Sequence, residues 1–234
     1  MRSPRRSKGR GQGEGLSHVS SRMNDPSPQS SPLYEVERRV ARAAEVNLSA
    51  VLLAGGESRR MGEDKATLLF QGKQLWQIQL DLLRKLEPAE ILVSARTNPA
   101  WRPADVQFVP DAFPSRGPLS GLVASLDRIN TSHLLALAID MPFMTDKYLT
   151  FLCSQIEPRR GVIAKIDERF EPLAAIYPRE ALANLQSALS GEDFSLQTLT
   201  GPLVAVGKLR VTNVTSQERK LFLNVNASSD LLGL

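Results

Sequence analysis

A cluster of glycine and basic residues directly follows the first strongly apolar segment of the chain. Residues 52–65 read LLAGGESRRMGEDK and contain three glycines, two arginines and a lysine. Glycine lets the backbone turn with positive φ and approach a ligand closely, so that successive N–H groups point at phosphate oxygens. The basic side chains supply positive charge where those phosphates would lie. The residue types therefore predict a nucleotide phosphate loop.

The loop differs from the two best-known phosphate-binding patterns. The spacing from Gly56 to Gly62 is one residue too long for a Walker loop, and Gly62 is not followed by lysine. The pair Gly55-Gly56 does not provide the G-x-G-x-x-G fingerprint of dinucleotide-binding folds. Another class of nucleotide-binding protein is indicated.

The segment resembles the L-A-G-G-x-S-x-R-M-G-x-D-K signature of molybdenum cofactor guanylyltransferases, the MobA-type members of the nucleotidyltransferase superfamily. Four further segments follow in that family's order: GPLSG at 117–121, DMPF at 140–143, EPLAAIY at 171–177 and NVN at 224–226. The resemblance covers roughly residues 48–232. It implies a Rossmann-like fold of the nucleotide-diphospho-sugar-transferase type.

The resemblance implies an enzyme that transfers GMP from GTP to molybdenum-bearing molybdopterin and releases pyrophosphate, with Mg²⁺ as cofactor. Cytidylyl transfer to the same acceptor is the nearest alternative. Relatives that use CTP tend to carry Ala-Ala-Gly at Ala54-Gly55-Gly56, and glycine at 55 would leave room for a purine. Transfer to sugar phosphates is disfavoured because those enzymes usually have Pro at the position of Asp64. A non-catalytic nucleotide-binding protein is a further alternative, and molybdoenzymes or their chaperones are candidate partners.

The N-terminal residues differ in composition from the rest of the chain. The whole chain carries 29 Lys and Arg against 25 Asp and Glu; nine and five of these lie in residues 1–46, which leaves 20 of each for 47–234. The sequence thus predicts a disordered basic leader at 1–46 and a transferase domain at 47–234, with no case for nucleic-acid binding. No membrane span or signal peptide is predicted, and Cys153 is the only cysteine, so a cytoplasmic protein is expected.

Apolar segments of strand and helix type alternate after residue 47, which predicts a mostly parallel sheet with helices on both faces and a few antiparallel strands near the C-terminus. Late strands are predicted at 203–206 and 221–225. In such α/β sheets, ligands bind beyond the carboxyl ends of the strands. The glycine loop, Asp111 and Asp140 each follow a predicted strand, so we expect them at one edge of the sheet.

Nucleotidyl transfer requires cations and N–H dipoles more than a general base, because the attacking phosphate is already ionised at neutral pH. Asp140 ends an apolar strand and is the candidate Mg²⁺ ligand; the competing interpretation is a capping or turn aspartate. Lys65 is expected to hold triphosphate oxygens, and Arg60, which matches the motif position, or its neighbour Arg59 is expected to stabilise the departing pyrophosphate. The catalytic residues expected from the resemblance are Arg60, Lys65 and Asp140.

The remaining site residues are expected to bind nucleotide or acceptor. The resemblance implies nucleotide contacts at Leu53, Ala54, Gly55, Gly56, Lys65, Asp111, Gly117 and Asp140, with Gly121 flanking the same turn as Gly117. The competing interpretations are a plain turn aspartate at 111 and a tight strand-to-helix turn at the two glycines. Asn224 and Asn226 lie two apart on a predicted strand, hence on one side of it, and the resemblance implies that they belong to the substrate site. Turn formation at the end of that strand is the competing interpretation. The family's asparagine contact after the second strand has no clear equivalent here, and Arg96 is its positional match.

Overall fold

The computed structural model describes residues 47–55, 64–113 and 115–225. Predictions that concern the leader at 1–46, or residues Gly56, Arg59, Arg60 and Asn226, lie outside these ranges. The boundary between leader and domain therefore stays a prediction. Among the described residues, no helix combines the length and the apolar character that crossing a bilayer requires.

A seven-stranded sheet forms the centre of the described domain. Its strands are β1 (Leu48–Leu53), β4 (Ile91–Ala95), β5 (Gln107–Pro110), β6 (His133–Ala138), β7 (Gly161–Ile166), β8 (Arg169–Pro178) and β9 (Leu209–Asn213), and a separate short hairpin consists of β2 (Leu69–Phe70) and β3 (Lys73–Gln74). The order across the sheet is β5-β4-β1-β6-β8-β7-β9.

The first four strands in that order form a parallel half. β1 pairs with β4 on one side and β6 on the other, and β4 pairs with β5. Every residue of β6 is buried, as are the last five residues of β1. Continuous apolar runs of this kind are typical of parallel strands covered on both faces, so β1 and β6 occupy the middle of the sheet.

The other half contains the antiparallel pairing that the sequence predicts near the C-terminus. β8 runs antiparallel to both β6 and β7, while β9 lies parallel to β7. The predicted Rossmann-like α/β class is confirmed, with β8 as the reversed strand among the described residues.

Helices cover both faces of the sheet. They are α1 (Leu75–Arg84), α2 (Pro118–Arg128), α3 (Asp146–Ser154), α4 (Leu182–Leu189) and α5 (Leu196–Ala205), with single 3-10 turns at Lys65–Thr67, Arg179–Ala181 and Arg219–Phe222. Ala50 and Leu52 of β1 face the core under α1 and α3, whereas Val51 and Leu53 face the core under α2, α4 and α5. The alternation of side chains along β1 thus supplies both layers.

Two strand predictions near the C-terminus are wrong. Residues 203–205 form the last part of helix α5, and Val206 is its C-cap. The Gly201-Pro202 pair, which in the sequence favours a turn, lies inside that helix. Residues 221–225 continue from the 3-10 turn Arg219–Phe222 without forming a strand. In both cases a short apolar run fits a buried helical segment as well as it fits a strand.

Candidate active site

Three segments meet at the carboxyl edge of the parallel half. The end of β1 is tied on both sides: the Ala54 N–H donates to the Ser94 carbonyl at 2.9 Å, and the Leu53 carbonyl accepts from the Ile139 N–H at 3.2 Å. Asp111 follows β5, and Asp140 follows β6 by two residues. The predicted meeting of the glycine loop with these two aspartates at one edge therefore agrees with the parallel registers of the sheet.

Lys65 and Asp140 form an ion pair at this edge. The Lys65 Nζ lies 3.3 Å from the Asp140 Oδ2, and the two side chains are 26% and 19% exposed. Lys65 begins the 3-10 turn Lys65–Thr67, whereas Asp140 follows β6, the strand next to β1. Partial exposure leaves both charged groups accessible to a ligand while solvent screening of the pair is reduced.

A small cavity opens between these two residues and the end of β1. Its volume is about 150 Å³, and it is lined by Leu53, Ala54, Gly55, Lys65, Pro118, Ala138, Ile139, Asp140 and Leu173. Five of the residues assigned to nucleotide contacts, Leu53, Ala54, Gly55, Lys65 and Asp140, are among them. Within this mostly apolar lining, the Lys65 cation and the backbone at Gly55 are groups suited to hold a phosphate.

The Asp111 carboxylate occupies a tight niche beside the cavity. Its Oδ1 accepts a 2.9 Å hydrogen bond from the Ser94 hydroxyl. A Cβ added at Gly55 would lie 2.8 Å from the Asp111 Oδ2, and one added at Gly121 would lie 2.8 Å from the Ser94 Oγ and 3.1 Å from the Asp111 Oδ1. The two glycines therefore leave the space that this carboxylate fills.

Burial raises the pKa of the Asp111 carboxyl above its usual value, and the Ser94 hydrogen bond and the positive charge of Arg96 partly offset that increase. Arg96, the positional match to the family's asparagine contact, is thus electrostatically linked to Asp111. From the sequence we expect glycine at 55 to leave room for a purine. In the structure, the space next to Gly55 is filled by the Asp111 carboxylate.

Gly117 forms the start of helix α2. It adopts φ 64° and ψ −148°, and Pro118 occupies the first turn of the helix. Positive φ is strained for other residues, and proline is well suited to the first helical position because its missing N–H would be unpaired there. This turn places Pro118 against the cavity, while Gly117 lies next to it in sequence.

A bulge in β8 explains why the EPLAAIY segment belongs to the site. Ile163 of β7 pairs with Ala175, yet the next residue, Ala164, pairs with Glu171. The intervening residues leave the ladder, the buried Tyr177 hydroxyl donates to the Pro172 carbonyl at 2.8 Å, and Leu173 lines the cavity. Bulges commonly reorient side chains next to active sites.

Asn224 lies near the metal candidate, although not on a strand as predicted. The N–H of the next residue, Val225, donates to the Asp140 carbonyl at 2.8 Å, and Val225 is buried while Asn224 is exposed. The prediction that Asn224 and Asn226 share one side of a strand is therefore wrong in its premise, since residues 223–225 belong to no strand. Asn226 lies outside the described residues.

The residues present fit a magnesium ion shared with a nucleotide. Within the described ranges no group of three or more His, Cys, Asp or Glu side chains could form a closed metal site. Mg²⁺ usually takes one or two carboxylates and completes its shell with water and substrate phosphates. The partly exposed Asp140 carboxylate meets that requirement beside a cavity suited to phosphate.

Sequence reasoning missed several residues that shape the site. Ser94 holds Asp111, and its place at the end of the strand next to β1 was the available signal. The buried Gln79 of α1 donates its side-chain amide to the Met141 carbonyl at 2.6 Å and so holds the segment after Asp140. A polar residue on the apolar face of α1 was the signal there.

Comparisons with known proteins identify the family of the chain. A family model described as the MobA-like NTP transferase domain matches residues 50–204. A probable molybdenum cofactor guanylyltransferase from Opitutus terrae is 34% identical over 186 residues, which cover 78% of this chain and 92% of the relative.

Solved structures show the same architecture. Molybdopterin-guanine dinucleotide biosynthesis protein A from Archaeoglobus fulgidus superimposes with a TM-score of 0.59 at 25% identity, covering 80% of this chain and 95% of that one. The 4-diphosphocytidyl-2C-methyl-D-erythritol synthase of Anaerococcus prevotii has a TM-score of 0.61 at 15% identity, covering 81% and 95%. The second likeness is informative about the fold alone.

Proposed function

The chain belongs to the MobA-like NTP transferase family, and we propose that it transfers GMP from GTP to molybdenum-bearing molybdopterin. The observation that carries this proposal is the Lys65–Asp140 ion pair beside the end of β1. It combines a phosphate-binding cation, a metal-binding carboxylate and close backbone in one cavity, as nucleotidyl transfer requires. The names of the relatives support GTP as donor and molybdopterin as acceptor.

In the proposed reaction, a phosphate oxygen of the acceptor attacks the α-phosphorus of GTP. A new oxygen–phosphorus bond forms, the bond between the α-phosphorus and the bridging oxygen breaks, and pyrophosphate leaves with that oxygen. No side chain has to remove a proton, because the attacking phosphate is ionised. The protein has to hold two anions together and to stabilise the charge that develops between them.

The described residues share this work. Lys65 binds the phosphates of GTP, which would replace Asp140 as the partner of its ammonium group. Asp140 would hold Mg²⁺, which would supply additional positive charge on the phosphate oxygens. Leu53, Ala54 and Gly55 bring their backbone to the nucleotide, and Asp111 and Gly117 lie beside it. Gly56 and Arg60, outside the described ranges, keep their predicted roles on the phosphates.

Asp111 supports a base or ribose contact rather than a phosphate contact. Its carboxylate is held by the Ser94 hydroxyl between two glycines. A carboxylate would repel a phosphate, yet it accepts hydrogen bonds from the N–H groups of guanine or from ribose hydroxyls. We assign Asn224 to the binding of the acceptor, because the N–H of the next residue, Val225, donates to the Asp140 carbonyl. Asn226 keeps the same predicted role.

The test compares the four ribonucleoside triphosphates. Purified protein, Mg²⁺ and molybdenum-bearing molybdopterin are incubated with each triphosphate, and pyrophosphate release is followed. Release with GTP alone is expected. Release with CTP alone would replace the proposal by cytidylyl transfer. Tight nucleotide binding without release in any mixture would support a non-catalytic binding protein.

A cytoplasmic location and delivery of the product to molybdoenzymes or their chaperones belong to the same proposal. Fractionation of cells that express the tagged chain, followed by identification of co-purifying proteins, tests both. Recovery with the soluble fraction together with a molybdoenzyme or its chaperone is expected.

A further inference from the structure

The carboxylate of Asp64, one residue before Lys65, is held by two separate donors. Its Oδ1 accepts a 3.0 Å hydrogen bond from the Ala66 N–H, and its Oδ2 accepts a 2.9 Å hydrogen bond from the indole Nε1–H of Trp101. With one donor on each oxygen, the plane of the carboxylate is fixed. Asp64 is the N-cap of the 3-10 turn that carries Lys65.

That turn is short; its own residues close it by hydrogen bonds, and its buried Ala66 packs into the core with residues of α1. The Thr67 N–H and hydroxyl both donate to the Asp64 carbonyl, at 2.9 and 2.8 Å, and the Leu68 N–H donates to the Lys65 carbonyl at 3.1 Å. A single 3-10 turn has little intrinsic stability in water. The Trp101 indole, 37 residues away in the sequence, therefore fixes the turn from outside its own sequence.

Trp101 is itself held in place. Its ring stacks on that of Trp76 with 5.6 Å between centroids and an interplanar angle of 18°. The Trp76 indole donates to the Gln74 side chain at 2.6 Å, at the start of helix α1. The loop around Trp101 is closed by a 2.8 Å hydrogen bond from the Arg102 Nε to the Asn98 Oδ1. A stacked and hydrogen-bonded indole is a rigid support.

We propose that Trp101 is a positioning residue of the triphosphate site. Its indole N–H orients Asp64, Asp64 sets the turn, and the turn directs the Lys65 ammonium to the cavity where it meets Asp140. This inference rests on the proposed function, because it assigns a role within the same site. It also gives Asp64 a physical role, since a proline at this position would lack the carboxylate that links the turn to Trp101.

The structure offers a matched pair of variants. Trp101→Phe removes the donor to Asp64 and part of the stack, whereas Trp76→Phe removes an equal ring area from the same stack and leaves the donor to Asp64 in place. Asp64→Asn is a third variant, since its single amide oxygen can serve the Ala66 N–H while its NH₂ group cannot accept from the indole.

The first measurement is the dissociation constant of GTP with Mg²⁺, by calorimetry, together with KM and kcat for GTP. Trp101→Phe and Asp64→Asn should each weaken GTP binding about fivefold, the effect of losing one hydrogen bond of modest strength. KM for GTP should rise while kcat changes little, since Lys65 contacts the triphosphate before and during the reaction. Trp76→Phe should bind GTP within about twofold of the original chain.

The second measurement needs no ligand. Hydrogen exchange of the Ala66 amide in the nucleotide-free protein should accelerate in Trp101→Phe and not in Trp76→Phe, because only the first change frees the Asp64 carboxylate that protects this amide. The double variant Trp101→Phe with Asp64→Asn should be no worse than either single variant, since both remove one interaction.

The outcomes separate the two proposals. If the original chain binds no nucleoside triphosphate, the proposed function fails, and the positioning role fails with it. If the original chain binds GTP and Trp101→Phe binds it equally well, with unchanged Ala66 exchange, the positioning role alone is wrong. Equal losses in Trp101→Phe and Trp76→Phe would assign the effect to the aromatic stack and also overturn the role of the indole N–H.

Discussion

Asp140 and Asp111 both follow strands of the parallel half of the sheet, yet their surroundings differ. Asp140 faces the Lys65 ammonium at 3.3 Å and remains 19% exposed. Asp111 lies between Gly55 and Gly121, accepts from the neutral Ser94 hydroxyl, and has a pKa that burial raises. One carboxylate thus faces a cation and stays accessible, and the other lies in a narrow niche beside the Ser94 hydroxyl.

The difference indicates separate roles for two residues of one type. A carboxylate paired with a cation can exchange that partner for a metal ion and for phosphates that bind the released lysine. A carboxylate held by a hydroxyl between two glycines is fixed in direction and is suited to accepting hydrogen bonds from a base or ribose. Environment, rather than residue type, therefore distinguishes the phosphate side of the proposed site from its nucleoside side.

The largest effect is expected from Asp140→Asn. Loss of the metal-binding carboxylate should lower turnover about a thousandfold, since a metal ion on transferring phosphates contributes several kcal/mol. Asp111→Asn, the same chemical change on the other aspartate, should cost only about tenfold. Steady-state pyrophosphate release measures both. Equal losses in the two variants would contradict the division between phosphate and nucleoside sides.

Lys65→Met should have the next largest effect. The side chain keeps its length but loses its charge, so kcat/KM for GTP should fall about a hundredfold, as for the loss of one preorganised donor. Lys73→Met serves as control, because Lys73 pairs with Asp81 on the exposed side of the short hairpin. The same kinetic assay applies. A larger loss for Lys73→Met than for Lys65→Met would remove Lys65 from the triphosphate site.

Gly55→Ala tests the nucleoside side of the proposed site. The new Cβ would lie 2.8 Å from the Asp111 Oδ2, so the carboxylate has to move, and GTP binding should weaken about tenfold, or about 1.4 kcal/mol. Gly201→Ala in helix α5 is the control, since nothing lies within 4 Å of its added Cβ. Calorimetry with GTP and Mg²⁺ compares them, and unaltered binding in Gly55→Ala would argue against the niche.

The smallest effect concerns the pH dependence of stability. Because burial raises the Asp111 pKa, the folded state binds this proton more tightly than the unfolded state, and stability falls as pH rises from about 4 through the folded pKa. Asp111→Asn removes this pH-dependent loss of stability and keeps an amide oxygen that can accept from the Ser94 hydroxyl. Its melting temperature relative to the original chain should be about 2 °C higher at pH 7 than at pH 4. An equal difference at both pH values would contradict the assigned cause.

Much of the framework follows from the sequence because local patterns and long-range packing agree there. The apolar runs of β1 and β6 alternate with helical segments, which favours a buried parallel sheet, and their ends bring Gly55 and Asp140 to one cavity. Thr145 accepts from the Tyr148 N–H at 3.3 Å and begins α3, as its capping chemistry predicts.

Predictions from the sequence fail where the local structure depends on residues that are distant in the chain. The strand expected at 203–206 is the end of a helix, since a short apolar run carries no periodicity that separates the two. The bulge that brings Leu173 to the cavity depends on pairing with β7 and on the Tyr177 hydroxyl. Likewise, the hydrogen bond between Trp101 and Asp64 spans 37 residues and has no local signature.

The most direct test of the proposed reaction follows the two ends of the triphosphate. Protein, Mg²⁺ and molybdenum-bearing molybdopterin are incubated with GTP labelled either at the α-phosphate or at the γ-phosphate, and the products are separated. The α-label should appear in a dinucleotide with the acceptor, and the γ-label in pyrophosphate. Recovery of the γ-label as inorganic phosphate, with the α-label still in a free guanosine nucleotide, would contradict nucleotidyl transfer.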